Sequence, residues 1–450
     1  MSARRIKSAL TVWLALTSFS GILLATPENT AGFGARASAL AGATSADSAD
    51  GSALFYNPSG LVLAARSELT LNYSATTFAL DTNGQSANVP ALHTLSGSLL
   101  GRGTVLGIPA AFGLGLALTN GHLSRVRTVT AAEPRWVLDQ GLPELFQLGA
   151  GIALRPLPWL SLGGGVGFLA ATQGGFDVRG TALLSDGQGS EYDSQLQHSV
   201  DARLVSVRYP SLGLTAKPPG NWAFSAAYRG EARLDQRITG NLAGSIDLGV
   251  SSLPVRYQLE TESVIAFQPR EVVLGASFHL AHTHVNADLS WQEWSRYPSP
   301  VGRSATQVTA SPPPGLDLAL PPDSKLLPAS DPQFSNRLSP RLGVEHGLAW
   351  TTQSTFFLRA GYAFEASPVP TRQAQTHFVD ASRHLLALGC GLALERAAPW
   401  LPDGVRLDAY ALWVHYTERQ LASSGGTAPG SFSARGEQWS SGVTLSFAFK

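Results

Sequence analysis

The sequence predicts an all-β protein: a transmembrane antiparallel β-barrel of about fourteen strands, with an N-terminal plug folded inside its lumen. Three observations carry this. Apolar and polar residues alternate with period two in segment after segment, which puts successive side chains on opposite faces of a strand. The connectors between these segments alternate between short and long, as the periplasmic turns and external loops of outer-membrane barrels do. Composition agrees: Asp, Glu, Lys and Arg make up only 14% of the chain and glycine is abundant at 46 residues, whereas soluble domains carry roughly 25% charged residues.

The chain opens with Met1, Arg4, Arg5 and Lys7, followed by an apolar run over 9–25. A basic stretch before a short apolar one is a secretory signal peptide, read here as 1–25 with cleavage between 25 and 31. A retained anchor is the alternative, because the run is near the lower limit for spanning. No later stretch approaches about 18 uninterrupted apolar residues, so no transmembrane helix is expected after it. An exported chain of this kind is either soluble or a barrel. Formal net charge is zero and becomes slightly acidic once the signal is removed, which argues against nucleic acid. Cys390 is the only cysteine, so neither a disulfide framework nor a Cys-rich metal site is expected.

Residues 26–66 are assigned to the plug. The stretch GFGARASALAGATSADSADGSALFYNPSGL, 32–61, is rich in Ala, Gly and Ser and shows no strand alternation. It closes on Leu54, Phe55, Tyr56 and then Asn57, Pro58, Ser59. Asparagine bonds to nearby backbone in turns, and proline holds the residue before it extended. This turn would set where the plug leaves the lumen. Phe33, Leu54, Phe55 and Tyr56 are the candidate contacts for an apolar ligand.

The barrel is assigned to 67–450. Its strands are read at 67–80, 90–100, 110–120, 143–155, 158–172, 201–217, 221–237, 255–280, 283–295, 338–350, 355–365, 382–395, 404–417 and 434–449, an even number as single-chain bacterial barrels require. In 284–292, Val285, Ala287, Leu289 and Trp291 alternate with His284, Asn286, Asp288, Ser290 and Gln292. Val405, Leu407, Ala409, Ala411 and Trp413 form a second apolar row; Trp439, Val443, Leu445, Phe447 and Phe449 form a third. Pro210 and Pro269 would kink or bulge two long strands, since proline cannot donate to a ladder. Gly163, Gly164, Gly165 and Gly167 lie inside a strand without the Lys-Ser/Thr of a phosphate loop, and read as small residues at a close backbone approach.

Short connectors fall at 155–158, 217–221, 281–282 and 351–354, and long ones at 121–142, 173–200, 296–337 and 366–381. Trp159, Trp222, Trp350 and Trp400 sit beside short connectors and would form the periplasmic aromatic girdle. The proline-rich loop 296–337 suits an extended, poorly packed segment, as a lid or as surface decoration.

Catalytic signatures are missing: there is no G-x-S-x-G elbow and no H-E-x-x-H pair, and no enzyme activity or cofactor is expected. His282 and His284 form an H-x-H pair, with His279 and Asp288 nearby. At a short turn these residues read as polar rim, and no metal is expected. Arg359, Arg383 and Arg406, with Asp408, fall on faces assigned to the lumen. They are candidates to hold a carboxylate headgroup; charge pairing within the lumen or with the plug is the simpler reading.

Three blocks resemble the FadL-type outer-membrane transporters of long-chain fatty acids and other hydrophobic compounds. The first is 32–61, which looks like the family's N-terminal hatch with its Asn-Pro-Ala turn, here Asn57-Pro58-Ser59. The second is VNADLSWQEWSRY, which ends in the Trp-Ser pair Trp294-Ser295. The third is LRAGYAFEASPVPTRQAQTHFVDASRHLLALGCGLAL, with Gly361, Ser367, Pro368, Val369, Pro370, Asp380, Arg383 and Gly389 in place. Ser59 departs from the usual alanine, and the chain ends Phe449-Lys450 rather than on an aromatic residue.

The resemblance implies a plugged barrel in the outer membrane of a Gram-negative bacterium, inserted by the barrel-assembly machinery. It implies ligand caught among the external loops, held beside the hatch and released sideways into the outer-membrane lipids through a gap at the third strand. Here that strand follows Gly107-Ile108-Pro109 and contains Gly113 and Gly115. Rival readings are a PorV-like barrel that binds proteins in assembly or secretion, an enzyme barrel such as a lipase, and a general porin.

Overall fold

The computed structural model describes residues 32–120, 124–125, 134–140, 144–179, 197–247, 252–298, 303–311, 322–326, 331–373, 376–395, 404–424 and 430–449. The signal-peptide assignment and Trp400 lie outside them. Fourteen antiparallel strands form the barrel. The first seven are β1 Ser67–Thr82, β2 Leu92–Val105, β3 Ile108–Thr119, β4 Glu144–Leu157, β5 Leu160–Arg179, β6 Gln197–Ala216 and β7 Trp222–Arg229. The rest are β8 Glu271–Leu280, β9 Thr283–Gln292, β10 Arg337–Thr351, β11 Ser354–Glu365, β12 Arg383–Leu394, β13 Val405–Ser423 and β14 Gly430–Phe449. Each strand pairs with its successor. The ring closes where β1 pairs with β14, from Ser67↔Phe449 to Thr82↔Ala434. Closure gives every strand of the ring a neighbour on both sides, which is what a sheet in lipid needs.

Alternation decides which face is which. Leu69, Leu71 and Tyr73 of β1, Phe112, Leu114 and Leu116 of β3, and Leu338, Leu342 and Val344 of β10 are exposed on the outside. Asn72, Ser74 and Thr76, Ser96 and Ser98, and Asn286, Asp288 and Ser290 are buried on the inside. This is the reverse of a soluble protein and the rule for a barrel solvated by lipid.

Connectors at the end where β1 starts and β14 stops are two to five residues long, save 395–404 between β12 and β13. The turn between β2 and β3 is two residues, Leu106 (φ 52°) and Gly107 (φ 78°), the double positive φ of a type I′ hairpin. Trp159, Trp222 and Trp350 are exposed beside the short connectors.

Two expected strands divide differently. The alternation over 221–237 and 255–280 spans two elements each: β7 stops at Arg229 and β8 begins at Glu271. Between them Ala232–Asp247 and Ser252–Gln268 form a hairpin outside the ring. It pairs in parallel with the end of β5 through Gly240↔Phe176 to Ala243↔Arg179. Pro269 marks the junction, where a missing N–H ends the ladder. Pro210 does not interrupt β6: it stays paired with Val166, with no register shift along that ladder. The proline-rich loop is less loose than its composition suggests. Arg303–Ala310 forms a strand along Val255–Glu262, and Phe334 is buried.

Long connectors pack together at the other end of the barrel. Arg135 and Trp136 pair in parallel with Phe378 and Val379, and Trp136 packs edge-on against Tyr416 at 5.3 Å. Phe267, Trp294, Tyr297, Phe334 and Phe378 form an apolar cluster above them.

The N-terminal segment forms α1 Ala35–Ala39, α2 Ala53–Tyr56 and a 3-10 turn Pro58–Leu63. It is enclosed by the strands and touches inner faces around the ring. Ala35 N donates to Thr444 Oγ1 of β14 (2.8 Å), Thr44 N and Ser45 N to Asp288 Oδ2 of β9 (3.1 and 3.0 Å), and Asn57 Nδ2 to Thr215 Oγ1 of β6 (3.0 Å). Small residues such as Ala35, Ala37, Ala39 and Ala43 are almost wholly buried, so their size lets backbone lie against backbone.

Candidate binding site

Asn57 organises the turn at the end of α2. It is fully buried and extended, at φ −164° and ψ 103°, as a residue before proline should be. Its Oδ1 accepts from Ser59 N (3.2 Å) and Ser59 Oγ (2.7 Å), and its Nδ2 donates to Ser45 O (2.7 Å) and Thr215 Oγ1 (3.0 Å). Ser59 Oγ also bonds Thr215 Oγ1 at 2.8 Å, so the serine at this position adds a link to the wall that alanine would lack.

The wall is shaped to receive this turn. A Cβ at Gly163 of β5 would collide with the Pro58 and Ser59 backbone, and one at Gly213 of β6 with Asn57 Oδ1. The expected close approach at the glycine run is thus made by the N-terminal segment itself. Gly113 and Gly151 similarly meet Leu54 and Leu61, at 2.9 to 3.4 Å from where a Cβ would sit.

Beside that contact lies a recess of about 510 Å³. Phe33, Leu54 and Phe55 form one side of it, and Gly115, Gly149, Gly167, Gln147 and Tyr209 line the wall side. Phe33 and Phe55 stack at 6.3 Å, and Phe55 meets Tyr56 edge-on at 5.1 Å. Of the four predicted ligand contacts, three line this recess. Tyr56 lines a second recess of about 730 Å³ with Phe55, Arg229, Arg337, Arg341 and Glu365. Burial raises the Tyr56 hydroxyl above its ordinary pKa, so it stays neutral and accepts from Phe33 N at 3.2 Å. At Gly149 nothing lies within 4 Å of where a Cβ would sit, which makes it the open floor of the apolar recess.

Several lining residues escaped the sequence. Arg229 covers the Phe55 ring at 3.9 Å, donates to Phe55 O at 2.5 Å and pairs with Glu271 at 3.1 Å. Gln147 Nε2 donates to Tyr209 OH at 2.8 Å. Arg341 is the loosely held cation of the second recess, 3.7 Å from Glu271 and 3.9 Å from Glu365. Strand parity puts all of them inside, but parity does not say which inward residue meets the segment.

The three arginines proposed for a headgroup are held by carboxylates. Arg359 is fully covered and pairs with Glu345 (2.5 Å) and Asp408 (2.8 Å). Arg383 pairs with Glu365 (2.7 Å) and Asp139 (3.4 Å). Arg406 pairs with Asp408 (2.8 Å). Glu345 also takes Arg36 of α1 at 2.9 Å, so this network joins the segment to the wall. Burial disfavours the Arg36 charge, but Glu345 and Asp47 outweigh it and raise the guanidinium further.

The third strand carries no standing gap. β3 pairs with β2 from Thr94↔Thr119 to Val105↔Ile108 and with β4 from Ala110↔Leu154 to Ala117↔Gln147, without a register shift. Gly107 serves the hairpin turn, and Gly113 makes room for Leu54 and Leu61. The H-x-H pair also divides: His282 is exposed in the turn, Asp288 is taken by Thr44 and Ser45, and His284 meets His279 and Asp47 instead.

A family model described as outer membrane protein transport protein (OMPP1/FadL/TodX) matches residues 12–449. Among solved structures, a Pseudomonas aeruginosa FadL homologue is similar over 96% of this chain and 100% of its own, at 15% identity and a TM-score of 0.58. The P. putida toluene transporter TodX follows over 93% and 98%, at 16% identity and 0.53. The Ralstonia pickettii toluene transporter TbuX covers the same shares at 15% and 0.52. At such identities the likeness is one of fold. No curated protein matches.

Proposed function

The chain belongs to the OMPP1/FadL/TodX family of outer-membrane transport proteins, and on that premise we propose that it carries long-chain fatty acids or other hydrophobic compounds across the outer membrane of a Gram-negative bacterium. The N-terminal segment acts as a hatch: it fills the lumen, so a ligand passes only by way of the recess beside it. The observation that carries this is the apolar recess between Phe33, Leu54 and Phe55 and the glycine-lined wall of β3 to β5.

Passage is passive and needs no cofactor. An acyl chain gains about 0.8 kcal/mol for each CH₂ kept out of water. A watery pore would forfeit that gain, whereas transfer from the recess to the bilayer keeps it. Release is therefore sideways, into outer-membrane lipid. Because the ladders of β3 are unbroken, it takes a transient parting of the wall, where the inward positions Gly113, Gly115, Gly149 and Gly151 carry no side chains.

Gly149→Phe tests this reading. The added ring enters open space, so the barrel should assemble normally and keep its heat-modifiable migration. Uptake of a labelled long-chain fatty acid, or of toluene, into cells lacking the native protein should fall at least about tenfold at equal surface abundance. Wild-type uptake of both probes would remove the recess from the path.

A further inference from the structure

His279 of β8 and His284 of β9 are register partners, each two residues from the turn at 281–282. Their rings stack 4.2 Å apart and within 9° of parallel. Asp47 of the N-terminal segment reaches both: Oδ1 lies 3.5 Å from His279 Nε2, and Oδ2 lies 3.2 Å from His284 Nδ1. One donor atom from each residue falls within 4.8 Å of the other two. An ion held tetrahedrally by bonds of about 2.1 Å spaces its ligand atoms about 3.4 Å apart. Each imidazole nitrogen already lies near that spacing from its own Asp47 oxygen, and a turn of the carboxylate brings both onto one ion.

We propose that Asp47, His279 and His284 bind a divalent transition-metal ion of the Zn²⁺ class, which ties the N-terminal segment to the wall at the short-turn end of the barrel. Two imidazole nitrogens and a carboxylate suit Zn²⁺, Ni²⁺ or Cu²⁺; Mg²⁺ and Ca²⁺ want oxygen throughout. Three protein ligands leave a fourth position for water. Access is open, because the two imidazoles are 32% and 33% exposed.

The carboxylate is prepared for the role. Arg36 Nη2 holds Asp47 Oδ2 at 2.7 Å, and the same guanidinium binds Glu345, which is how outer partners orient a ligand. Without an ion the groups satisfy each other: His284 Nδ1 bonds Asp47, and His279 Nε2 meets Ser277 Oγ at 2.9 Å. An ion takes the Nε2 lone pair of His279 and the Nδ1 lone pair of His284, whose single ring proton is then carried on Nε2.

The test uses untagged full-length protein in detergent, stripped with a chelator and titrated with ZnCl₂, with Co²⁺ as a visible-absorption probe. One Zn²⁺ should bind per chain. H279Q and H284Q should each weaken binding at least about tenfold, and the double variant should abolish both binding and the Co²⁺ band. H282Q should bind as wild type. Zn²⁺ should also raise the hydrogen-exchange protection of residues 43–52. No saturable binding, binding that survives in the double variant, or loss in H282Q would overturn the site. Unchanged protection of 43–52 would overturn the tie.

Discussion

Asn57 and Gly163 are two halves of one contact. The asparagine closes the turn on Ser59 and reaches Thr215, and the glycine leaves room for the Pro58–Ser59 backbone. Losing the amide takes the side-chain donor from Ser45 O, at about 1–3 kcal/mol for a buried group left unpaired, and leaves Thr215 Oγ1 with Ser59 Oγ. That cost falls on the N-terminal segment, since barrel stability rests on the closed ladder. Asn57→Ala with Pro58→Ala should therefore leave assembly and heat-modifiable migration intact while fatty-acid uptake falls to about a tenth or less. Gly163→Ala should do the same without changing the segment's own sequence, because a methyl there meets Pro58–Ser59 backbone that must move. Uptake equal to wild type in both variants, at equal surface abundance, would show that the turn has no part in transport.

Among the elements, the loop between β11 and β12 carries a pH response. Asp380 is buried in it, and burial together with Asp139 pushes its carboxyl up to about 6. Ser367 Oγ donates to Asp380 Oδ2 at 2.5 Å, and Arg419 reaches Ser367 Oγ and Asp380 O. A carboxyl raised on folding contributes stability that is full below its unfolded value near 4 and is lost as pH rises through about 6. The shift is worth up to roughly 3 kcal/mol. Asp139, also raised by burial, changes in the same direction. The hydrogen-exchange protection of 376–382, taken relative to the unfolded chain at the same pH, should therefore be greater at pH 4.5 than at pH 7.5, and Asp380→Asn should flatten the difference. Lower protection at the lower pH would reverse the assignment.

For the whole molecule, the expectation is a plugged barrel whose orientation follows from its connectors. The connectors from β1 to β12 alternate between long and short, and both ends of the ladder lie at the short-turn end. Long connectors with buried aromatics pack at one end, and the N-terminal segment with its Arg36–Glu345–Arg359 network occupies the lumen. Tags placed at 180–196 or 312–320 should be labelled on intact cells, and the protein should show no steady ionic conductance in planar bilayers. Labelling only after the outer membrane is opened would invert the orientation, and a steady current would point to a porin.

Alternation and connector length are written locally, because each strand answers to lipid on one face and to the lumen on the other. From them alone the sequence determined the barrel, its strand number and its inward faces. The Asn57-Pro58 turn and the closeness demanded by Gly163 were also legible, since both follow from what those residues do to their own backbone. Partners were not legible. Face parity puts Arg359, Arg383 and Arg406 inside without saying that Glu345, Asp408 and Glu365 already hold them. The hairpin at 232–268 alternates as a barrel strand does, so only ladder pairing shows that it stands outside the ring. Asp47 meets His279 and His284 more than two hundred residues along the chain, and only ring closure around the N-terminal segment brings them together. The continuous ladders of β3 are the same kind of fact: glycine and proline permit a gap, but whether the neighbouring strands leave one is decided by the closed sheet.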